Sequence, residues 1–160
     1  MKLCMAQINT LVGDIAGNTQ RVLEVSAAQK AAGAHTVVFP ELTLTGYPPE
    51  DLLLRGDLLD RSEAALARLC AELPPDLAVI VGYPRRQDGV LFNSAGVISA
   101  GKLLARYDKQ CLPNYEVFDE KRYFAAGSEA CVVDIDGLAV GLTICEDIWH
   151  AEPASQAKAA

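Results

Sequence analysis

The stretch His35-Thr36-Val37-Val38-Phe39-Pro40-Glu41 decides the fold. It is short, β-branched and apolar, with no polar face, so it reads as a buried strand. Pro40 ends it and leaves Glu41 at its C-terminal tip. Upstream, Met1 to Asn9 reads as another strand, closed by the turn residues Gly13, Asp14, Gly17 and Asn18. Asn18 is expected to cap a helix running to about Ala32, with Val22, Val25 and the alanines on one apolar stripe and Gly33 as its stop. Strand, helix and strand in succession make a βαβ unit, whose parallel strands need helices over the sheet.

Downstream, Pro49 to Leu54 is a short helical stretch with Glu50 and Asp51 in its first turn, where the helix dipole favours carboxylates. A longer helix, about Leu58 to Leu73, is broken by Pro74-Pro75, and Leu77 to Gly82 reads as a buried strand. Val90 to Ser99 and Lys102 to Asp108 flank Ala100-Gly101 as a hairpin. Val132 to Ile135 and Leu138 to Cys145 flank Asp136-Gly137, a favoured type I′ turn. From Pro153 the chain reads as the opening of a further helix. The pattern is mixed α/β, without a repeat or linker to divide it.

Composition narrows the function classes. The chain has 160 residues, 51% hydrophobic and 22% charged, as globular proteins do. A formal charge of -7 with no basic stripe argues against nucleic acid as a partner. No apolar run approaches the ~20 residues of a membrane span, and the first residues lack the form of a signal peptide, so no membrane partner and a cytoplasmic location are expected. Five cysteines, Cys4, Cys70, Cys111, Cys131 and Cys145, form an odd set without CxxC spacing, which indicates neither a disulfide framework nor a metal site.

Ligands of open α/β sheets gather outside the carboxyl ends of strands. Three reactive side chains occupy such places: Glu41 after the Thr36–Phe39 strand, Lys109 after Leu103–Asp108, and Cys145 after Val140–Ile144. Cysteine attacks as thiolate and needs a base or a positive neighbour at neutral pH. A partly desolvated Glu41 suits the base, and Lys109 suits both the thiolate and an oxyanion, helped by a backbone N–H after Cys145. Taken singly each has a plainer reading: a buried small hydrophobe for Cys145, a loop cap for Glu41, a solvated charge for Lys109. A Cys145–His150 pair is a further arrangement, and His35 lies away from the strand tips. Asp119-Glu120-Lys121-Arg122 by charge pattern alone is a self-compensating surface run.

Taken together, Phe39-Pro40-Glu41-Leu42, Lys109 and Ile144-Cys145-Glu146-Asp147-Ile148-Trp149 resemble the Glu, Lys, Cys motifs of the nitrilase, or carbon-nitrogen hydrolase, superfamily in their chain order. Glu41 to Leu53 and Lys109 to Phe124 look further like the amino-terminal glutaminase domain of the glutamine-dependent NAD synthetases. The resemblance implies a four-layer α-β-β-α sandwich and a glutaminase that hydrolyses glutamine through a cysteine thioester. Its ammonia would go to a synthetase domain that amidates nicotinic acid adenine dinucleotide with ATP and magnesium. It implies Glu41 as base, Lys109 as oxyanion stabiliser and Cys145 as nucleophile, with Tyr47, Tyr115, Glu120 and Glu146 around the glutamine. No cofactor is implied for the glutaminase domain itself. Tyr47 and Tyr115 also suit loop packing.

Residues 1–160 contain no Ser-Gly-Gly-x-Asp-Ser loop, so the synthetase domain is absent from them and the sandwich is expected to be incomplete on its C-terminal side. Uncovered apolar faces of that kind favour a homo-oligomer. Two other readings stand beside this one: a stand-alone aliphatic amidase or ω-amidase of the same superfamily, and an inactive truncated interaction module.

Overall fold

The strand that carries Glu41 forms the second member of a mixed sheet. In the computed structural model, which describes residues 1–160, β1 (Leu3–Met5) pairs parallel with β2 (Thr36–Val38), Cys4 opposite Val37, and β2 pairs parallel with β3 (Ala78–Gln87). The antiparallel strands β4 (Val90–Ser99) and β5 (Lys102–Asp108) complete the order β1-β2-β3-β4-β5. Only β4 therefore runs against the others. The C-terminal ends of β2 and β5 and the start of β4 meet along one sheet edge, which is where Glu41 and Lys109 leave the sheet.

Helices α1 (Ile15–Ala31) and α2 (Gly56–Glu72) cover one face. In α2 the buried residues Leu58, Ser62, Ala65 and Leu69 recur every three or four positions, the spacing of one helical face. Their burial against Val37, Val79 and Val81 forms the main core. The opposite face is covered by the hairpin of β6 (Val132–Ile135) and β7 (Leu138–Gly141), whose Ile135, with Leu142 and Ile144 just beyond it, packs on Ile80, Val97 and Tyr107. Asp136 and Gly137 turn it with φ of 53° and 77°, as a type I′ turn requires. A last helix, α3 (Ala151–Ala159), lies against β7. The layers are thus α, β and β, with α3 as the only helix on the outer side of the hairpin. Over β1 the second face stays open, with Leu3 and Met5 exposed.

Several boundaries differ from the sequence expectation for identifiable reasons. The cap of α1 is Asp14, whose carboxylate accepts the Gly17 N–H at 2.9 Å. Asn18 instead sits buried inside the helix and ties Leu11 to the carbonyl of Leu44. β1 is shorter than Met1 to Asn9, because Gln7 N–H turns back to the Met5 carbonyl. β3 continues past Gly82 to Gln87, and Asp88-Gly89, with φ of 52° and 79°, turns it into β4. β7 ends at Gly141 because its partner β6 begins at Val132, so Leu142 to Ile144 leave the ladder before Cys145. The stretch after Pro49 is a 3-10 turn, Glu50–Leu54, and α2 begins at Gly56.

Candidate active site

Glu41 is set in place by a glycine. A Cβ at Gly82 would stand 2.4 Å from the Leu42 nitrogen and 2.9 Å from the Glu41 carbonyl carbon, so the Pro40–Leu42 backbone lies directly on β3. The Leu44 N–H then bonds the Gly82 carbonyl, and Leu42 adopts φ 49°, a conformation rarely taken by a leucine. Lys109 follows β5, its N–H on the Asn93 carbonyl at 2.8 Å and its carbonyl accepting the Gly127 N–H at 2.8 Å. Gly127 is needed here as well, since an added Cβ would meet the Asp108 carbonyl oxygen at 2.2 Å. Cys145 opens a 3-10 turn, Cys145–Trp149, with φ 45°. A non-glycine residue in that region is strained and needs its surroundings to hold it there.

Those surroundings centre on Asp147, which is fully buried. Its carboxylate accepts the N–H groups of Ile144 (2.9 Å), Gln110 (3.1 Å) and Cys111 (2.7 Å) and the Tyr107 hydroxyl (2.8 Å). One side chain thus fastens the turn carrying Cys145 to the loop that follows Lys109. Asp147 belongs to the quoted cysteine motif, yet nothing local marks it, because all but one of its partners lie more than thirty positions away.

Lys109 has no exposed surface, and its ammonium sits between Glu41 (2.7 Å) and Glu120 (2.9 Å). Burial by itself pushes the ammonium down, but the two carboxylates outweigh it and Lys109 stays above its ordinary range, firmly charged. Glu120 is pushed up by burial, partly offset by Lys109. The Cys145 thiol is likewise pushed up, first by burial and then by the charge of Glu41, with Lys109 acting in the opposite direction. The ammonium alone therefore does not deliver a thiolate, as the residue types by themselves suggest; an adjacent carboxylate has to take the proton. Cys145 is the exposed cysteine, the other four being partly covered.

The four residues expected around a substrate divide into two groups. Tyr47 is 39% exposed, its phenol pushed up by partial burial and by Glu120, Glu41 and Cys145, so it faces the charged cluster. Glu120 is committed to Lys109 through Oε1, and its Oε2 is buried without a partner. On the other side Tyr115 donates its hydroxyl to Glu146 Oε2 at 2.9 Å, while His150 Nε2 stands 3.4 Å from Oε1. His150 thus pairs with Glu146, next to the cysteine. Two hollows open near residues adjoining the triad, though Glu41, Lys109 and Cys145 line neither: one of about 620 Å³ bordered by Tyr47, Phe118, Glu120 and Tyr123, and one of about 600 Å³ bordered by Cys111, Tyr115, Glu146 and His150. Asn93, overlooked in the sequence, donates to Glu41 at 2.6 Å. No group of three or more His, Cys, Asp or Glu side chains is placed to hold a metal ion, and no helix is long and apolar enough to cross a membrane.

Comparison with known proteins identifies the family and the fold. A glutamine-dependent NAD(+) synthetase of Xanthomonas campestris is 46% identical over 156 residues, 96% of this chain and 28% of that protein. The chain thus spans little more than a quarter of the relative's length. The glutamine-dependent NAD+ synthetase of Acinetobacter baumannii superposes with a TM-score of 0.92 at 39% identity, covering 96% of this chain and 29% of that one. An amidase of the nitrilase superfamily from Nesterenkonia shares the fold, with a TM-score of 0.87 at 22% identity over 99% of this chain and 61% of that one. The carbon-nitrogen hydrolase family pattern runs from residue 2 to residue 159, and the chain belongs to that family.

Proposed function

We propose that this chain is the thiol glutaminase part of a glutamine-dependent NAD synthetase. The observation that carries the reading is Lys109, fully buried between two carboxylates beside the exposed Cys145. Glu41 takes the thiol proton, and the sulfur attacks the side-chain amide carbon of glutamine. Lys109, held in place before the reaction, balances the charge that grows on the amide oxygen, helped by the backbone N–H after Cys145. Glu41 returns the proton to the leaving nitrogen, so ammonia departs and a glutamyl thioester remains on Cys145. Glu41 then removes a proton from water, which attacks the thioester, and glutamate leaves as the thiol recovers its proton.

Tyr47 and Tyr115 supply walls for a short amino acid, and Glu146 and Glu120 supply negative charge for its ammonium and amide groups. On this reading the ammonia serves amidation of nicotinic acid adenine dinucleotide with ATP and magnesium, a step for which these residues hold no Ser-Gly-Gly-x-Asp-Ser loop. Incubation with a diazo ketone analogue of glutamine, followed by mass mapping, tests the assignment. A single adduct on Cys145, blocked by excess glutamine, is expected. Adducts on Cys4, Cys70, Cys111 or Cys131 in preference to Cys145 would overturn it.

A further inference from the structure

Asn93 lies near the start of β4, 1% exposed, and touches two members of the triad. Its Nδ2 donates to Glu41 Oε1 at 2.6 Å, while its backbone carbonyl accepts the Lys109 N–H at 2.8 Å. Glu41 Oε1 also accepts the Lys109 ammonium at 2.7 Å, so both bonds fall on the same oxygen. The amide carbonyl of Asn93 is buried without a partner. A leucine of similar volume would carry no such unpaired group, so packing alone does not account for an amide here.

We propose that Asn93 is a positioning residue: it fixes the rotation of the Glu41 carboxylate, committing Oε1 to two donors and leaving Oε2 to collect the Cys145 proton. This rests on the reading of Glu41 as the base. The other groups facing Glu41 are the Lys109 ammonium at the end of β5, Glu120 from the 3-10 turn Glu120–Arg122, the phenol of Tyr47, and Cys145 itself. Lys109 is already shared with Glu120, Glu120 adds negative charge rather than a donor, and the Tyr47 hydroxyl is turned to Glu120, which the Asn93 amide also touches. A carboxylate that accepts fewer N–H bonds is protonated more readily, so the site without Asn93 should lose its base at a higher pH.

The test is the rate of Cys145 alkylation by iodoacetamide against pH, read by mass spectrometry on the whole protein. In that reaction the sulfur displaces iodide and the thiol proton passes to Glu41, with no requirement for glutamine. Asn93→Leu should melt no lower than the parent protein, yet be alkylated about tenfold more slowly at neutral pH, with the acid limb moved up by about one pH unit. Asn93→Asp, which keeps the shape and removes the donor, should slow the reaction further. In a Glu41→Gln background the Asn93→Leu change should alter the rate less than about twofold. An unmoved acid limb in a folded variant, or an equal loss in the Glu41→Gln background, would overturn the proposal. Lack of Cys145 alkylation in the parent protein would instead remove the triad reading, and this inference with it.

Discussion

Lys109 and Cys145 serve the same corner of the fold but are held in opposite ways. Lys109 directly follows β5, the last strand of the sheet, is wholly buried, and sits between two carboxylates. Cys145 is exposed, lies outside any ladder, and keeps a left-handed backbone on a turn pinned by Asp147. The charge that meets a developing oxyanion gains most from a dry, rigid site, because there it needs no rearrangement during the reaction. On the proposed mechanism the atom that attacks has to be reachable, and Cys145 is secured from behind, through the backbone, instead of by enclosure.

Substitutions at the two positions should separate these modes most widely. Lys109→Ala leaves the buried Glu120 and the partly buried Glu41 carboxylates without their shared cation and should cost about 3–5 kcal/mol, measured by chemical denaturation, along with all glutamine hydrolysis. Cys145→Ala should abolish hydrolysis equally while changing stability by less than about 0.5 kcal/mol. Equal stability losses at both positions would erase the contrast. Asp147→Ala comes next. It orphans three backbone N–H groups and the Tyr107 hydroxyl, and should cost about 2–3 kcal/mol and slow alkylation of Cys145. Normal alkylation in that variant would show that the turn holds its shape without the carboxylate.

The smallest effect sharpens the electrostatics. The thiol is raised first by burial and then by the Glu41 charge, with Lys109 opposing. Glu41→Gln removes the second cause and keeps the opposing ammonium, so thiolate absorbance should appear at lower pH than in the parent protein. Hydrolysis should be lost all the same, since no base remains. A thiol that titrates higher in Glu41→Gln would show that Glu41 normally favours the thiolate.

The strands, the covering helices and the hairpin at Asp136-Gly137 were legible because each follows from local pattern: β-branched runs, a three-to-four residue stripe, a turn dipeptide that tolerates positive φ. The same local logic misplaced the cap of α1, where Asp14 and Asn18 both fit the rule and only the packing against Leu11 and Leu44 separates them. It also closed β3 at Gly82, reading as a strand end a glycine that the Pro40–Leu42 loop needs beside it. The Asp88-Gly89 dipeptide, by contrast, is itself a local turn signal, and β3 runs up to it.

For the site, Glu41, Lys109 and Cys145 could be named in advance because their residue types and chain order carry chemistry by themselves. What Asn93, Gly82 and Asp147 do could not be, since an amide, a glycine and a carboxylate acquire these roles only from neighbours far away in the chain. The sequence by itself singled out Glu41, Lys109 and Cys145 as candidate reacting groups and placed Glu41 and Lys109 just beyond their strands. It carried the last strand up to Cys145, whereas β7 ends at Gly141. The tertiary structure alone decided that Lys109 is shared by Glu41 and Glu120, that burial and Glu41 raise the thiol, and that Asp147 joins the cysteine turn to the lysine loop. Charge and hydrogen bonding act over a few ångströms in space, and chain order does not record those distances.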